Sequence, residues 1–256
     1  MSERVNIVID GKDCSCEKGE YLLEIAKQNG IYIPSLCYHE GLSDLGACRV
    51  CIVEVVENGR NRVVTSCLYP VLSEIEVFTR NEKITEMRGV ILTLLARLAP
   101  NSPKIKQLAS FSGADLPRLE DKEDGDTCIL CGRCVTACEM LGTGAIAKVH
   151  RGVMKKISTP YGEPSLECIG CGSCAFVCPT DSIATEQSEE GFTIWDRTFE
   201  MQSCSKCGAP YTTKAAYEHV QLKREEEQQE PEPPLCEACG KRATANKFAD
   251  ASKYLN

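Results

Sequence analysis

The chain has 256 residues, 18 of them cysteine, and a formal charge of -8. That charge argues against a general nucleic-acid binder, which carries a basic face, and no apolar run approaches the roughly 18 residues a membrane span needs. The opening MSERVNIVID lacks the charged n-region and apolar h-region of a signal peptide. The chain is therefore expected in the cytoplasm, where clustered thiols bind metal more often than they form disulfides.

Residues 1–80 alternate between strand-like runs and one helix. VNIVID, GK and DCSCEKG read as a hairpin. GEYLLEIAKQNG places Leu22, Leu23, Ile25 and Ala26 on one helical face, closed near Gly30. CRVCIVEVVENGRNRVVTSC reads as two strands around the turn Asn58-Gly59. Residues 81–125 form a helical connector. Ile84, Met87, Ile91, Leu94 and Leu98 recur at three- and four-residue steps and predict an amphipathic helix. A second helix starts at Ser102 and Pro103, and LEDKEDGD is an acidic loop.

Residues 126–190 contain a duplication. CILCGRCVTACE and CIGCGSCAFVCP align at an offset of 40 residues, pairing Cys128 with Cys168, Cys131 with Cys171, Cys134 with Cys174 and Cys138 with Cys178. GAIAKVHRGVMKKIS between them predicts two short strands turning near Arg151-Gly152. Residues 191–256 hold two further pairs, CSKC and CEAC, with KREEEQQEPEPP between them read as a flexible loop. The whole is an α+β chain.

Each duplicated copy reads C-x2-C-x2-C-x3-C, the run that holds [4Fe–4S] centres in bacterial dicluster ferredoxins, where the fourth cysteine serves the other cluster. One centre is assigned to Cys128, Cys131, Cys134 and Cys178, the other to Cys138, Cys168, Cys171 and Cys174. Gly132 and Gly172 leave room for the backbone to approach. A second constellation, Cys37, Cys48, Cys51 and Cys67, suits a [2Fe–2S] centre with a longer first gap than the plant type, and Gly46 and Ala47 keep its loop close. His39 offers a Rieske-like ligand, but four cysteines already complete the site. Cys14 and Cys16 lie two apart on a strand and are expected to be ordinary side chains sharing a side at a strand surface. The third constellation, Cys204, Cys207, Cys236 and Cys239, suits a structural Zn2+, with another iron–sulfur cluster as the alternative.

IPSLCYHEGLSDLGACRVCIVEV, CILCGRCVTACEMLGTGAIAKVHRG and CIGCGSCAFVCPTDSI together resemble the N-terminal modules of the complex I large iron–sulfur subunit. They resemble equally the iron–sulfur chains of multimeric NAD(P)-linked, electron-bifurcating hydrogenases and formate dehydrogenases. The resemblance implies a β-grasp [2Fe–2S] ferredoxin-like module, a dicluster [4Fe–4S] ferredoxin domain and a small four-cysteine, zinc-ribbon-like tail. It departs at LAPNSPKIKQLASFSG, where the relatives carry a histidine and three cysteines for a further cluster, and that cluster is expected to be absent.

The implied function is electron transfer within a soluble hetero-oligomeric oxidoreductase. Its partners would be flavin- and NAD(P)-binding subunits and either ferredoxin or a hydrogenase or formate dehydrogenase catalytic subunit. Without a GxGxxG or Walker loop, nucleotide and flavin are expected on another chain, and no segment for a catalytic cofactor is read here. The side chains position cofactors and make no bonds themselves. The alternatives are a free-standing multicluster ferredoxin carrier and, more remotely, a redox or zinc regulator.

Overall fold

A computed structural model describes residues 3–42, 45–116 and 127–252; the acidic loop expected at 119–126 lies outside the described residues. Strands β1 (Arg4–Ile9) and β2 (Lys12–Glu17) form an antiparallel hairpin. Its turn, Asp10-Gly11, has φ of 48° and 79°, the left-handed pair that a two-residue hairpin loop demands. Alternation in β1 buries Val5, Ile7 and Ile9; in β2 it buries Cys14 and Cys16. Those two thiols share a side, as expected, but lie in the core rather than at the surface, and Cys16 donates to the Val5 carbonyl.

Helix α1 (Leu22–Gln28) contributes Leu22, Leu23, Ile25 and Ala26 to the same core. Strands β3 (Ile52–Glu57) and β4 (Arg60–Thr65) form the second hairpin through Asn58-Gly59. Strand β5 (Glu76–Phe78) pairs parallel with β1 and antiparallel with β3, giving the order β2-β1-β5-β3-β4. The parallel pair requires a long crossover, and that crossover carries α1 and the first cysteine loop.

Helix α2 (Glu82–Leu98) starts where Asn81 accepts the Ile84 N–H, and α3 (Pro103–Ser112) starts at the Ser102 cap and ends at left-handed Gly113. The buried face of α2 differs from the expected stripe. It is Ile84, Arg88, Leu92, Leu95 and Ala96, while Leu94 is 59% exposed and Met87 and Leu98 are also exposed. The reason is Arg88. Its buried guanidinium donates to the carbonyls of Val50 (3.1 Å), Ile52 (2.7 Å) and Thr79 (3.2 Å). Carbonyls without a ladder partner need a donor when buried, and a planar fork supplies several at once.

The duplicated segment contains α4 (Arg133–Met140), the hairpin β6 (Ala147–Val149) and β7 (Lys156–Ser158), and the short helix α5 (Ser173–Phe176). β8 (Thr185–Ser188), β9 (Gly191–Ile194) and β10 (Arg197–Phe199) form a three-stranded antiparallel sheet that runs across residue 190. β11 (Met201–Ser203) and β12 (Pro210–Thr213) carry the first tail pair at their turn, followed by α6 (Lys214–Glu226) and α7 (Glu237–Ser252).

The stretch expected as a flexible loop is one third helix, since α6 continues through its first four residues to Glu226. The remainder is pinned. Tyr217 Oη donates to the Glu232 carbonyl at 2.7 Å, and the Glu232 N–H donates to Gln221 Oε1 at 2.9 Å.

Candidate metal centres

The first thiol group lies where the loop before β3 meets the end of β4. Cys37, Cys48, Cys51 and Cys67 are all buried. Sγ of Cys51 and Cys67 are 3.3 Å apart, and the Cys48 N–H donates to Cys37 Sγ at 3.4 Å. Gly46 has φ of 56°, and a Cβ there would strike the Leu68 side chain, so a larger residue in this loop would be strained and would have to displace Leu68. Thiol donors from Cys48 and Cys67 pull Cys37 down, and a thiol donor from Cys67 pulls Cys51 down to about 6. Cys48 and Cys67 move up correspondingly. Four buried thiols thus share protons among themselves, the charge pattern that a cationic core coordinating all four would replace. His39 turns elsewhere: its Nδ1 accepts the Gly41 N–H at 3.1 Å.

The two later cavities cross the duplicated copies. One, of about 280 Å³, is lined by Cys128, Cys131 and Cys134 together with Cys178. The other is lined by Cys168, Cys171 and Cys174 together with Cys138. The copies share a backbone device: Leu130 and Gly170, 40 residues apart, have φ of 54° and 64°, and Gly132 and Gly172 have φ of 89° and 72°. These left-handed residues turn amides inward. Backbone N–H groups of Leu130, Ala145 and Ser182 donate to Sγ of Cys128, Cys138 and Cys178 at 3.4, 3.2 and 3.3 Å. Burial pushes the Cys134 thiol up to about 12 and Cys174 to about 11. A neutral thiol is the resting form there unless a metal takes the proton's place.

Two buried donors stand beside these cavities: Nε of Arg133 has no partner among the described residues, and Nε1 of Trp195 has only the thiol of Cys174 to donate to. Trp195 lines both cavities and favours the thiolate of Cys174. Buried donors are rarely orphaned, and acceptor sulfides in the cavities would complete both. The donor set, the inward amides and these two buried donors fit iron–sulfur centres. Arg133 and Trp195 were not singled out from sequence. The available signal for Arg133 was a mismatch between the copies, arginine in one and Ser173 in the other.

The tail group is tighter. Sγ atoms of Cys204, Cys207, Cys236 and Cys239 all lie within 4.8 Å of one another, with Cys207 and Cys236 3.7 Å apart. Each pair closes a matching turn, Gly208 N–H to the Cys204 carbonyl and Gly240 N–H to the Cys236 carbonyl, both 2.9 Å. The Cys236 backbone N–H pulls Cys204 down to about 6. A tetrahedral ion with bonds near 2.3 Å needs sulfurs about 3.8 Å apart. The group therefore suits one ion, and a cubane, with an iron behind each thiolate, would hold them further apart. The tail is stitched to the duplicated segment by Thr213 Oγ1 donating to the Ile169 carbonyl at 2.6 Å and by His219 Nε2 with the Leu141 carbonyl at 2.8 Å.

Residues 2–82 match the profile of a 2Fe-2S iron-sulfur cluster binding domain, and residues 122–185 match that of a 4Fe-4S dicluster domain. The chain is 33% identical over 227 residues to the NADPH-Fe(3+) oxidoreductase subunit alpha of Geobacter sulfurreducens, covering 79% of this chain and 26% of that one. It is 31% identical over 215 residues to a subunit of the NADP-reducing hydrogenase of Solidesulfovibrio fructosivorans (72% and 36% covered). It is also 31% identical over 223 residues to the NADH-ubiquinone oxidoreductase 75 kDa subunit of Reclinomonas americana (78% and 31%). The chain thus spans about a quarter to a third of the length of these relatives. A chain in the crystal structure of an NAD+-reducing [NiFe]-hydrogenase shares the fold, with a TM-score of 0.58 at 24% identity over 76% of this chain and 89% of that one. No helix among the described residues is long and apolar enough to cross a membrane. With a 2Fe–2S domain, a 4Fe–4S dicluster domain and a four-cysteine group behind them, the chain is an iron–sulfur subunit resembling the N-terminal parts of the complex I 75 kDa subunit and of NAD(P)-linked hydrogenases and formate dehydrogenases.

Proposed function

We propose that the chain relays electrons inside a soluble, cytoplasmic NAD(P)H-linked flavoprotein oxidoreductase complex of the hydrogenase, formate dehydrogenase or ferredoxin–nicotinamide type. It would stand between a flavin subunit and ferredoxin or a catalytic subunit. One observation carries this reading. The three thiol groups proposed to hold iron form a packed row: Cys37 and Cys48 share one apolar cluster with Cys131, and Cys134 shares another with Cys174.

Iron–sulfur centres exchange single electrons without rearranging bonds. We assign the [2Fe–2S] centre to Cys37, Cys48, Cys51 and Cys67 in a β-grasp module. One [4Fe–4S] centre goes to Cys128, Cys131, Cys134 and Cys178, and the other to Cys138, Cys168, Cys171 and Cys174. Zinc goes to Cys204, Cys207, Cys236 and Cys239 in a ribbon-like tail, on the sulfur spacing above. The protein's part is to hold thiolates, exclude water, aim amides at sulfur and place buried cations, all of which set the reduction potential.

The test is metal analysis and electron paramagnetic resonance on anaerobically purified protein. About ten irons per chain, one zinc and dithionite-induced signals from both cluster types are expected. Colourless, silent, folded protein would overturn the proposal, and an iron count near fourteen would overturn the zinc assignment.

A further inference from the structure

The charge of the chain is uneven in one place. Residues 140–162 contain four Lys or Arg (Lys148, Arg151, Lys155, Lys156) and no Asp or Glu, a local +4 that leaves -12 for the rest of a -8 chain. All four cations lie on or beside the β6–β7 hairpin and are exposed. None of them forms an ion pair with an acid among the described residues. Between them stand Val153, fully exposed, and Met154, 69% exposed.

The hairpin also walls a cluster cavity. Gly152, Val153, Lys155 and Lys156 line the same space as Cys128, Cys131, Cys134 and Cys178. Lys148 lies across Gly132 in the cysteine loop so closely that a Cβ there would collide with its side chain. A protein seated on the outside of this hairpin is therefore one layer of chain away from the first [4Fe–4S] site.

We propose that the β6–β7 hairpin is the docking surface for an acidic one-electron carrier protein of ferredoxin type. This deepens the reading of the chain as an electron relay and rests on it. The cations steer and orient an acidic partner, and Val153 and Met154 supply the desolvated centre of the contact. One electron passes per encounter: the carrier is oxidised by one electron, this chain is reduced by one, and no bond or proton moves. A solvated basic turn with no partner would need neither the apolar tip nor its place against a cavity of cysteines. Nucleic acid is disfavoured because the rest of the chain is acidic.

The experiment uses the full chain with its clusters, mixed by stopped flow with a reduced acidic two-[4Fe–4S] ferredoxin at low and high salt. Wild type is expected to be reduced quickly, at a rate that falls with salt. Charge reversal at Arg151, Lys155 and Lys156 to Glu should slow the low-salt rate by about tenfold or more and abolish the salt dependence. Val153→Ser with Met154→Ser should weaken the complex while keeping the salt dependence. In every variant, dithionite-induced resonance signals must match wild type, which shows that the clusters are intact. Equal rates in wild type and the charge-reversed chain overturn the docking surface while leaving the relay standing. So does a wild type that dithionite reduces but ferredoxin does not. Binding of duplex DNA that the same reversals remove overturns it in favour of a nucleic-acid site. A chain that holds no iron overturns the relay and this proposal together.

Discussion

Arg133 Nη1 donates to the Leu36 carbonyl at 3.0 Å, so a residue of the first duplicated copy holds the backbone one position before Cys37. Burial lowers the affinity of that guanidinium for its proton, and the surrounding Cys131, Cys178, Cys37 and Cys48 offset part of the loss. Arginine stays charged in proteins, so a buried cation stands between the first two iron–sulfur sites. Replacing Arg133 by Ser, its counterpart in the second copy, should lower the reduction potentials of both sites. One unit charge at an effective dielectric of about 20 is worth on the order of 2 kcal/mol at such range, which reads as tens of millivolts. Arg133→Lys should retain most of the effect. Redox titration followed by paramagnetic resonance checks this, and unchanged potentials in a correctly metallated Arg133→Ser chain would refute it.

Gly170 separates a conformational cost from a packing cost. Its φ is 64°, and an added Cβ would sit 2.6 Å from the Phe199 ring and 3.0 Å from Thr213 Cγ2; at Gly144, φ is 58° with nothing within 4 Å. Gly144→Ala should cost about 1–2 kcal/mol, the left-handed penalty alone. Gly170→Ala adds overpacking of about 1–3 kcal/mol. We expect its iron content to drop from about ten towards six as the second cubane site fails. Iron assay on the two variants, purified side by side, decides the matter.

The tail group shares no cysteine with the other sets. Cys204→Ser or Cys239→Ser should therefore release zinc and leave iron near ten. Thermal stability should still fall, by several degrees, because the knuckles anchor β12 and its bond from Thr213 to Ile169. Loss of iron along with zinc would place the tail within the cluster machinery.

Glu54 on β3 accepts from Lys83 Nζ at 2.8 Å and Asn81 Nδ2 at 2.7 Å, tying α2 to the sheet. The Lys83 ammonium holds its carboxyl below the usual carboxylate range. A depressed folded pKa gives stability that is present above the unfolded value, about 4.3, and is lost as pH falls through the folded one. Wild type should thus exceed Glu54→Gln in thermal midpoint at pH 7, and the gap should close below about pH 4. A gap constant across that range would mean that shape, not charge, carries the effect.

The second hairpin turn and the start of α3 were legible because each rests on local chemistry, an Asn-Gly pair and a Ser-Pro start, whereas the first turn falls at Asp10-Gly11, one residue before the GK expected. The inner face of α2 was not. The apolar residues at 87, 94 and 98 outweigh Arg88 in any pattern of hydrophobicity, yet Arg88 takes a core position because three distant carbonyls need it. β5 was equally hidden, since three residues show no periodicity and its partners β1 and β3 lie far along the chain. The tail linker read as loop from its composition, whereas Tyr217 and Gln221 pin it through contacts that composition cannot express.

The exchange of cysteines between the two copies has a consequence for biogenesis. The cavity that begins with Cys128 is finished only by Cys178, and the one that uses Cys138 is finished only by Cys174. On the ribosome, neither nest has its four sulfurs until about forty residues after the first motif has emerged. Neither cofactor could therefore gain its full set of ligands before both motifs are made. A nascent chain stalled between the motifs holds Cys128, Cys131, Cys134 and Cys138 as bare thiols, with no whole nest to shelter them from oxygen.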